Sequence, residues 1–159
     1  MNEDFSYRNG FELHYTSIPR KIIAEKYIEN SDRDLFDYKF WCFDGKVEYI
    51  EFLSGRNTDG LKEAIYDTNW QKQDFIYHSV LDNKIAPRPA NLDLMIKLAE
   101  KLSQGFIHVR VDFYDVNNRI YFGEMTFTPS SGADVWIPKE ANLRVGQLIN
   151  LKSPKKDQL

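Results

Sequence analysis

The sequence has few of the residues that build disulfides and metal clusters. Its 159 residues include one cysteine, Cys42, and three histidines. A single cysteine excludes an internal disulfide, and no Cys/His cluster has the spacing of a zinc site. Because free cysteines are typical of a reducing compartment, we expect a cytoplasmic protein in which Cys42 is a core residue.

Long apolar runs and an excess of positive charge are also missing. No apolar run reaches the roughly 18 residues of a membrane-spanning helix. The polar start Met1-Asn2-Glu3-Asp4 is unlike a signal peptide. The formal net charge of -3 provides no general attraction for nucleic acid. We therefore expect neither a membrane span nor a nucleic-acid partner.

Apolar residues, in contrast, are plentiful enough for one core. They make up 42% of the chain, with 11 Phe, 9 Tyr and 3 Trp. We predict an irregular segment over 1–20, one domain over 21–151 and a polar tail over 152–159. The predicted fold class is α+β, with a mostly antiparallel sheet and helices packed on one face.

The predicted elements follow from local patterns. Residues 21–28 are short, apolar and β-branched, which predicts a buried strand. Strands are also predicted over 38–43 and 47–52, joined by the hairpin-turn pair Asp44-Gly45. Asn91 is a good N-cap for a helix with one apolar stripe, which indicates core packing.

A second hairpin, from Ile107 to Phe127, carries the most chemistry. If its turn is centred on Asn118, Asp112 lies across from Glu124 and Arg110 across from Thr126. Residues two apart on a strand share a face, so these four side chains would form one polar patch.

The patch has two interpretations. Carboxylates that face each other across strands repel by roughly 0.2–1 kcal/mol, which indicates a bound cation. Mg²⁺ binds through one or two carboxylates plus substrate phosphates, and Arg110 suits phosphate or a developing oxyanion. Alternatively, Arg110 simply neutralises Asp112 and Glu124 on a solvated sheet face.

The hairpin sequence resembles the metal-binding hairpin of the ATP-grasp superfamily. There an R-x-D strand, here Arg110-Val111-Asp112, pairs with an E-x-N strand followed by Pro and Gly, here residues 122–132. The resemblance implies that Asp112 and Glu124 bind Mg²⁺ and that Arg110 is catalytic. Thr126 stands where Asn is usual and is the third implied metal ligand.

Further segments are similar to one branch, the TupA-like ATP-grasp family. They are residues 22–28, 37–45 and 66–70, in that order. Members of this family are tied to teichuronopeptide and capsular polysaccharide synthesis and are often labelled glycosyltransferases. The resemblance covers residues 12–151 and corresponds to the C-terminal half of the ATP-grasp fold.

The resemblance also implies a nucleotide site. The adenine hinge would be Glu25, Lys26, Tyr27 and Ile28, and Asp37 would take the ribose hydroxyls. Lys39 alternates away from its apolar neighbours and could reach a phosphate or the acceptor, which makes it the second catalytic candidate, although a surface lysine is the alternative. Arg56, in a Gly-flanked loop, is a candidate anion binder. His108 is expected to be structural or peripheral.

The implied function is the ATP- and Mg²⁺-binding half of a carboxylate–amine ligase acting on a cell-surface polymer. In such an enzyme a carboxylate is activated to an acylphosphate, which an amine then attacks. About 20 residues precede the hinge and include no Gly-rich loop, so we expect an incomplete chain that a second chain would complete. The alternatives are a glycosyltransferase using Asp32-Arg33-Asp34, or a non-catalytic module that binds a nucleotide or a partner.

Overall fold

The fold is taken from a computed structural model. It describes residues 12–19, 21–28, 35–55, 60–77, 80–81, 86–133 and 135–151. The predicted anion binder Arg56 and the Asp32-Arg33-Asp34 motif lie outside these residues, as does the tail over 152–159.

One six-stranded sheet organises the described chain. Its strands are β1 (Asp37–Phe43), β2 (Lys46–Ser54), β3 (Lys62–Tyr66), β4 (Val80–Leu81), β5 (His108–Val116) and β6 (Arg119–Thr126). They lie in the order β4-β3-β2-β1-β5-β6. All neighbours pair antiparallel except the two-residue strand β4, which pairs parallel with β3. The predicted α+β class and mostly antiparallel sheet are confirmed.

The hairpin between β1 and β2 forms where the turn residues allow it. Asp44 and Gly45 have φ angles of 46° and 76°, the positive values that a tight two-residue hairpin requires. Both flanking strands match the predicted ones, and Cys42 is buried, as expected of a core residue.

Each face of the sheet is covered by one helix. Helix α1 (Leu92–Leu102) packs on the face that carries Phe40 and Val111, through Leu92, Met95 and Ala99. Helix α2 (Lys139–Gly146) contributes Ala141 and Val145 to the aromatic core on the opposite face. The predicted arrangement of helices on one face therefore describes α1 but not α2. Two short 3-10 segments, Leu13–Tyr15 and Pro129–Gly132, complete the fold.

The N-terminal end of α1 lies where Asn91 predicted it, but for a different reason. The Asn91 side chain makes no capping hydrogen bond to the helix. Instead its Nδ2 donates to Asp115 Oδ1 at 3.0 Å. Asn91 therefore fastens the helix to β5, the strand that carries Arg110 and Asp112.

The predicted strand over residues 21–28 is wrong. This segment has no regular structure, and Ile22, Ile23 and Tyr27 are 90%, 78% and 80% exposed. A strand needs a neighbour to satisfy its backbone groups, and no strand of the described sheet pairs with this segment. Its apolar pattern was therefore a poor guide to burial.

No helix within the described ranges is both long enough and apolar enough to cross a lipid bilayer.

The packing of α1 provides a direct test of the core. Met95→Ala removes a fully buried side chain and should lower the free energy of unfolding by about 2–5 kcal/mol. Leu94→Ala, at a half-exposed position of the same helix, is the matched control and should cost far less. Urea unfolding of both variants measures the difference, and equal losses would contradict the packing described.

Candidate functional site

A β-bulge sets the register of the hairpin that carries the polar patch. The turn consists of Asn117 and Asn118, both with positive φ, so Val116 pairs with Arg119. Between the Val111–Met125 and Phe113–Phe122 pairs, Asp112 faces two residues, Gly123 and Glu124. The predicted turn centred on Asn118 is therefore wrong.

The bulge nevertheless brings the predicted residues together. Beyond it the register shifts by one, and Arg110 pairs with Thr126 as predicted. At the bulge a side chain would have little room, because a Cβ at Gly123 would lie 3.2 Å from the Asp112 carbonyl oxygen. Glycine at this position lets Glu124 follow Asp112 closely across the two strands.

Asp112 is at the centre of the patch and is buried. Two nitrogens of Arg110 donate hydrogen bonds to the Asp112 carboxylate, Nε to Oδ1 and Nη2 to Oδ2, each at 2.8 Å. Lys39 Nζ lies 2.6 Å from Asp112 Oδ2 and 3.2 Å from Asp37 Oδ2. Both predicted catalytic residues therefore contact the same carboxylate.

Glu124 and Thr126 form the exposed rim of the patch. Arg110 Nη2 also donates to Glu124 Oε1 at 3.0 Å and to Thr126 Oγ1 at 3.1 Å. Thr126 Oγ1 in turn donates to Glu124 Oε1 at 2.9 Å. The Glu124 side chain is 62% exposed, whereas that of Asp112 is 3% exposed. The patch thus has a buried carboxylate and an accessible one, joined by a single guanidinium.

Neighbouring carboxylates keep the Lys39 and Arg110 side chains positively charged. Burial alone would lower the pKa of Lys39, but Asp112 and Asp37 outweigh it and the pKa is raised. Burial likewise opposes the charge of Arg110, whose pKa is still raised by Asp112, Glu51 and Glu124. The contacts agree with the alternative that Arg110 neutralises Asp112 and Glu124. However, Asp112 is buried, so it does not lie on the solvated face that this alternative assumed.

A further pair of carboxyls, which the sequence interpretation missed, lies beside the patch on the same face of the sheet, in β2 and β3. Glu51 pairs across β1–β2 with Lys39, accepts a hydrogen bond from Trp41 Nε1 at 3.0 Å and is buried. Glu63 of β3 is fully buried and accepts from the backbone N–H of Tyr77. The sequence signal that could have identified Glu51 is a charged residue within an apolar strand, opposite the charged Lys39 of the neighbouring strand.

His108 lies on the same face of β5 as Arg110. Its ring stacks on Phe43 and Trp41, with centroids 4.6 Å and 5.6 Å away. Its Nδ1 lies 3.0 Å from the Cys42 carbonyl oxygen. Burial lowers its pKa, so the neutral ring is favoured, which agrees with the predicted structural role.

The predicted hinge residues line a pocket. Glu25, Lys26, Tyr27 and Ile28 border a cavity of about 620 Å³ together with residues at the turn of the β5–β6 hairpin. On the β6 side the lining residues include Arg119, Tyr121 and Phe122, and the Arg119 guanidinium lies 5.3 Å from the Tyr121 ring centroid. Aromatic rings and cations of this kind suit a base and phosphates.

The donor set of the patch fits Mg²⁺ only together with another ligand. No group of three His, Cys, Asp or Glu side chains converges as a metal site in the described part of the chain. Asp112 and Glu124 provide two carboxylates that share Arg110 Nη2, with the Thr126 hydroxyl beside them. Since Mg²⁺ in nucleotide sites takes one or two carboxylates plus phosphates, the residues fit a metal–phosphate pair rather than a free ion.

Comparison with known proteins agrees with this geometry. The described sheet carries the patch of acidic and basic residues that the resemblance to the ATP-grasp hairpin implied. The chain belongs to the TupA-like ATPgrasp family, whose family model matches residues 1–150. Membership supports ATP binding and a ligase-type role in general. Searches of curated proteins and of solved structures gave no match.

Glu51 gives the site a measurable pH dependence. Burial, followed by Glu63, raises its pKa from 4.5 to about 7. Between these values the unfolded chain ionises while the folded chain keeps its proton, so stability falls as pH rises. Glu51→Gln should therefore stabilise the protein at pH 8, by at most about 3 kcal/mol, and much less at pH 4.5.

Denaturant unfolding at both pH values measures this difference. The chemically matched control is Glu140→Gln, an exposed carboxyl in the first turn of α2. A stabilisation that is the same at pH 4.5 and pH 8 would contradict the assignment of the proton to Glu51.

Proposed function

We propose that this chain carries the ATP- and Mg²⁺-binding surface of a carboxylate–amine ligase. This nucleotide floor consists of the polar patch and the hinge pocket. The observation that supports it most is the contact of Arg110 with Asp112, Glu124 and Thr126 at once. Four residues taken from a single sequence motif meet in one cluster, and the family match supports ATP binding in general.

The layout of β6 supports a path for the nucleotide. Tyr121 and Phe122 line the hinge pocket, and Glu124 and Thr126 belong to the patch. Tyr121 shares the face of the patch, because it pairs with Tyr114, which lies two residues, or roughly 7 Å, along β5 from Asp112. The adenine would bind against the hinge residues 25–28, and the phosphates would extend toward Arg110. Asp37, held by Lys39, is the proposed ribose contact.

Each charged residue has a proposed task. Asp112 and Glu124, with Thr126, would hold Mg²⁺, which supplies charge neutralisation to the phosphates. Arg110 can turn its donors from the carboxylates to the oxygens of the phosphoryl or acyl group, where charge develops in the transition state. Lys39 forms ion pairs with Asp37 and Asp112, so its position is fixed. It would orient Asp112 and add positive charge near the phosphates without contacting them.

The acceptor and the biological role remain proposals of the same kind. In the proposed reaction a carboxylate takes the γ-phosphoryl group of ATP, which releases ADP and forms an acylphosphate. An amine then attacks the acyl carbon, displaces phosphate and forms an amide. The family resemblance points to a polymer of the cell surface, such as a capsule or teichuronopeptide. We further propose that a second chain bearing the other half of an ATP-grasp fold covers the exposed Ile22, Ile23 and Tyr27.

Thermal unfolding in the presence of ATP and Mg²⁺ tests the proposed nucleotide floor. ATP with Mg²⁺ should raise the melting temperature, because a ligand at 100 times its Kd stabilises the folded state by about 2.7 kcal/mol. Mg²⁺ alone should have little effect, since the carboxylate pair needs the phosphates to complete the site. Glu124→Gln should abolish the added effect of Mg²⁺.

Two controls make this result specific. Glu140→Gln changes an exposed carboxyl outside both the patch and the hinge pocket and should respond to ATP like the natural chain. A UDP-sugar is the comparison ligand. Stabilisation by the UDP-sugar but not by ATP would favour the glycosyltransferase alternative and contradict the ligase proposal.

A further inference from the structure

A second pocket opens at the end of β6 opposite the hinge pocket. It has a volume of about 500 Å³, within the usual range for small-molecule sites. Glu124, Met125 and Thr126 form one wall, the N-terminal residues Glu12 and Tyr15 another, and the loop after β6 the third. Glu124 and Thr126 are also proposed metal ligands, whereas Glu12 and Tyr15 have no part in the hairpin motif or in the proposed nucleotide path.

The pocket has a distinct charge. Two carboxylates, Glu12 and Glu124, line it, and none of the described residues that line it is basic, although Arg110 Nη2 donates to Glu124 Oε1 from outside the lining. The pKa of Tyr15 is raised by burial and then by these same two carboxylates, so both act on one point in the pocket wall. The hinge pocket, in contrast, is lined by two cations, Lys26 and Arg119, and by one carboxylate, Glu25. The two ends of β6 therefore favour ligands of opposite charge.

Hydroxyl groups make up most of the remaining polar lining. Thr126, Thr128, Ser130 and Ser131 all border the cavity. Ser130 and Ser131 have φ angles of 47° and 55°, left-handed conformations that cost an L residue roughly 1–2 kcal/mol each. The loop is held in place because Thr128 Oγ1 donates to Glu12 Oε1 across the pocket mouth.

We propose that this pocket binds a protonated primary amine that carries neighbouring hydroxyl groups, as in an amino sugar or amino alcohol. The ammonium would lie between Glu12 and Glu124, and the serine and threonine hydroxyls would bind the adjacent hydroxyls. That this amine is the acceptor of the reaction rests on the proposed ligase function. The binding itself does not, since it depends only on the pocket.

The proposal gives Glu12 and Tyr15 a role that the family motif does not contain. Both come from the segment before the hinge, which reaches across to the loop at Thr128. Glu124 would then serve both sites, with the phosphates on one side of it and the amine on the other. Before the attack the ammonium would lose a proton to Glu12, and the free amine would then lie next to the activated carboxylate.

Titration with D-glucosamine, followed by amide NMR shifts at neutral pH, tests this inference. We expect saturable shifts at residues 124–131, and binding at least about tenfold weaker for N-acetyl-D-glucosamine, which keeps the hydroxyls but has no charge. Glu12→Gln should weaken glucosamine binding by about tenfold or more, because a hydrogen bond between charged groups is lost. Tyr15→Phe, which removes the hydroxyl that contacts Thr128 but leaves both carboxylates, should also weaken it, by a smaller factor.

Several results would overturn the proposal. They are no saturable shift in the natural chain, equal binding of the acetylated sugar, or unchanged binding in both variants. Glu140→Gln should bind glucosamine like the natural chain. Thermal unfolding with ATP is measured on the same samples. Glucosamine binding without any ATP effect would contradict the nucleotide floor while leaving the amine pocket intact.

Discussion

The buried Asp112 carboxylate is the constraint on which the arrangement depends. It lies between two cations on neighbouring strands, Arg110 of β5 and Lys39 of β1. Removing one member of a buried ion pair typically lowers the free energy of unfolding by about 3–5 kcal/mol, because the remaining charge is buried and not solvated. The pairing of β1, β5 and β6 must therefore keep these side chains on one face, and a slip by one residue would separate them.

This constraint also connects the two pockets. Arg110 contacts the buried Asp112 and the exposed Glu124 with the same nitrogen, so the position of Glu124 is tied to the core of the sheet. Glu124 lies between the hinge pocket, which has cations and aromatic rings, and the hydroxyl-lined pocket that it shares with Glu12. A carboxylate fixed at this position can face a metal–nucleotide complex on one side and an amine on the other. The bulge at Gly123 makes that placement sterically feasible.

The sequence predicted most of the sheet and the members of the patch, but not the details of strand pairing. Local chemistry predicted the turn at Asp44-Gly45, and apolar spacing predicted α1. The bulges depend on contacts between strands, so the turn was misplaced even though Arg110 and Thr126 do pair. Residues 21–28 have the composition of a buried strand, but composition cannot say whether a neighbour is present. Glu12 was missed because its contact with Thr128 joins segments more than 100 residues apart.

The central claim is that the Arg110–Asp112–Glu124 cluster is where metal and nucleotide bind. Paramagnetic broadening by Mn²⁺ with ATP tests it most directly, because Mn²⁺ takes the same oxygen ligands as Mg²⁺ and broadens only nearby amide signals. The account predicts strong broadening at residues 110–112 and 123–126, weaker broadening at residues 25–28, and its loss in Glu124→Gln. Broadening centred on another part of the chain, or none above the level seen with Mn²⁺ alone, would contradict it.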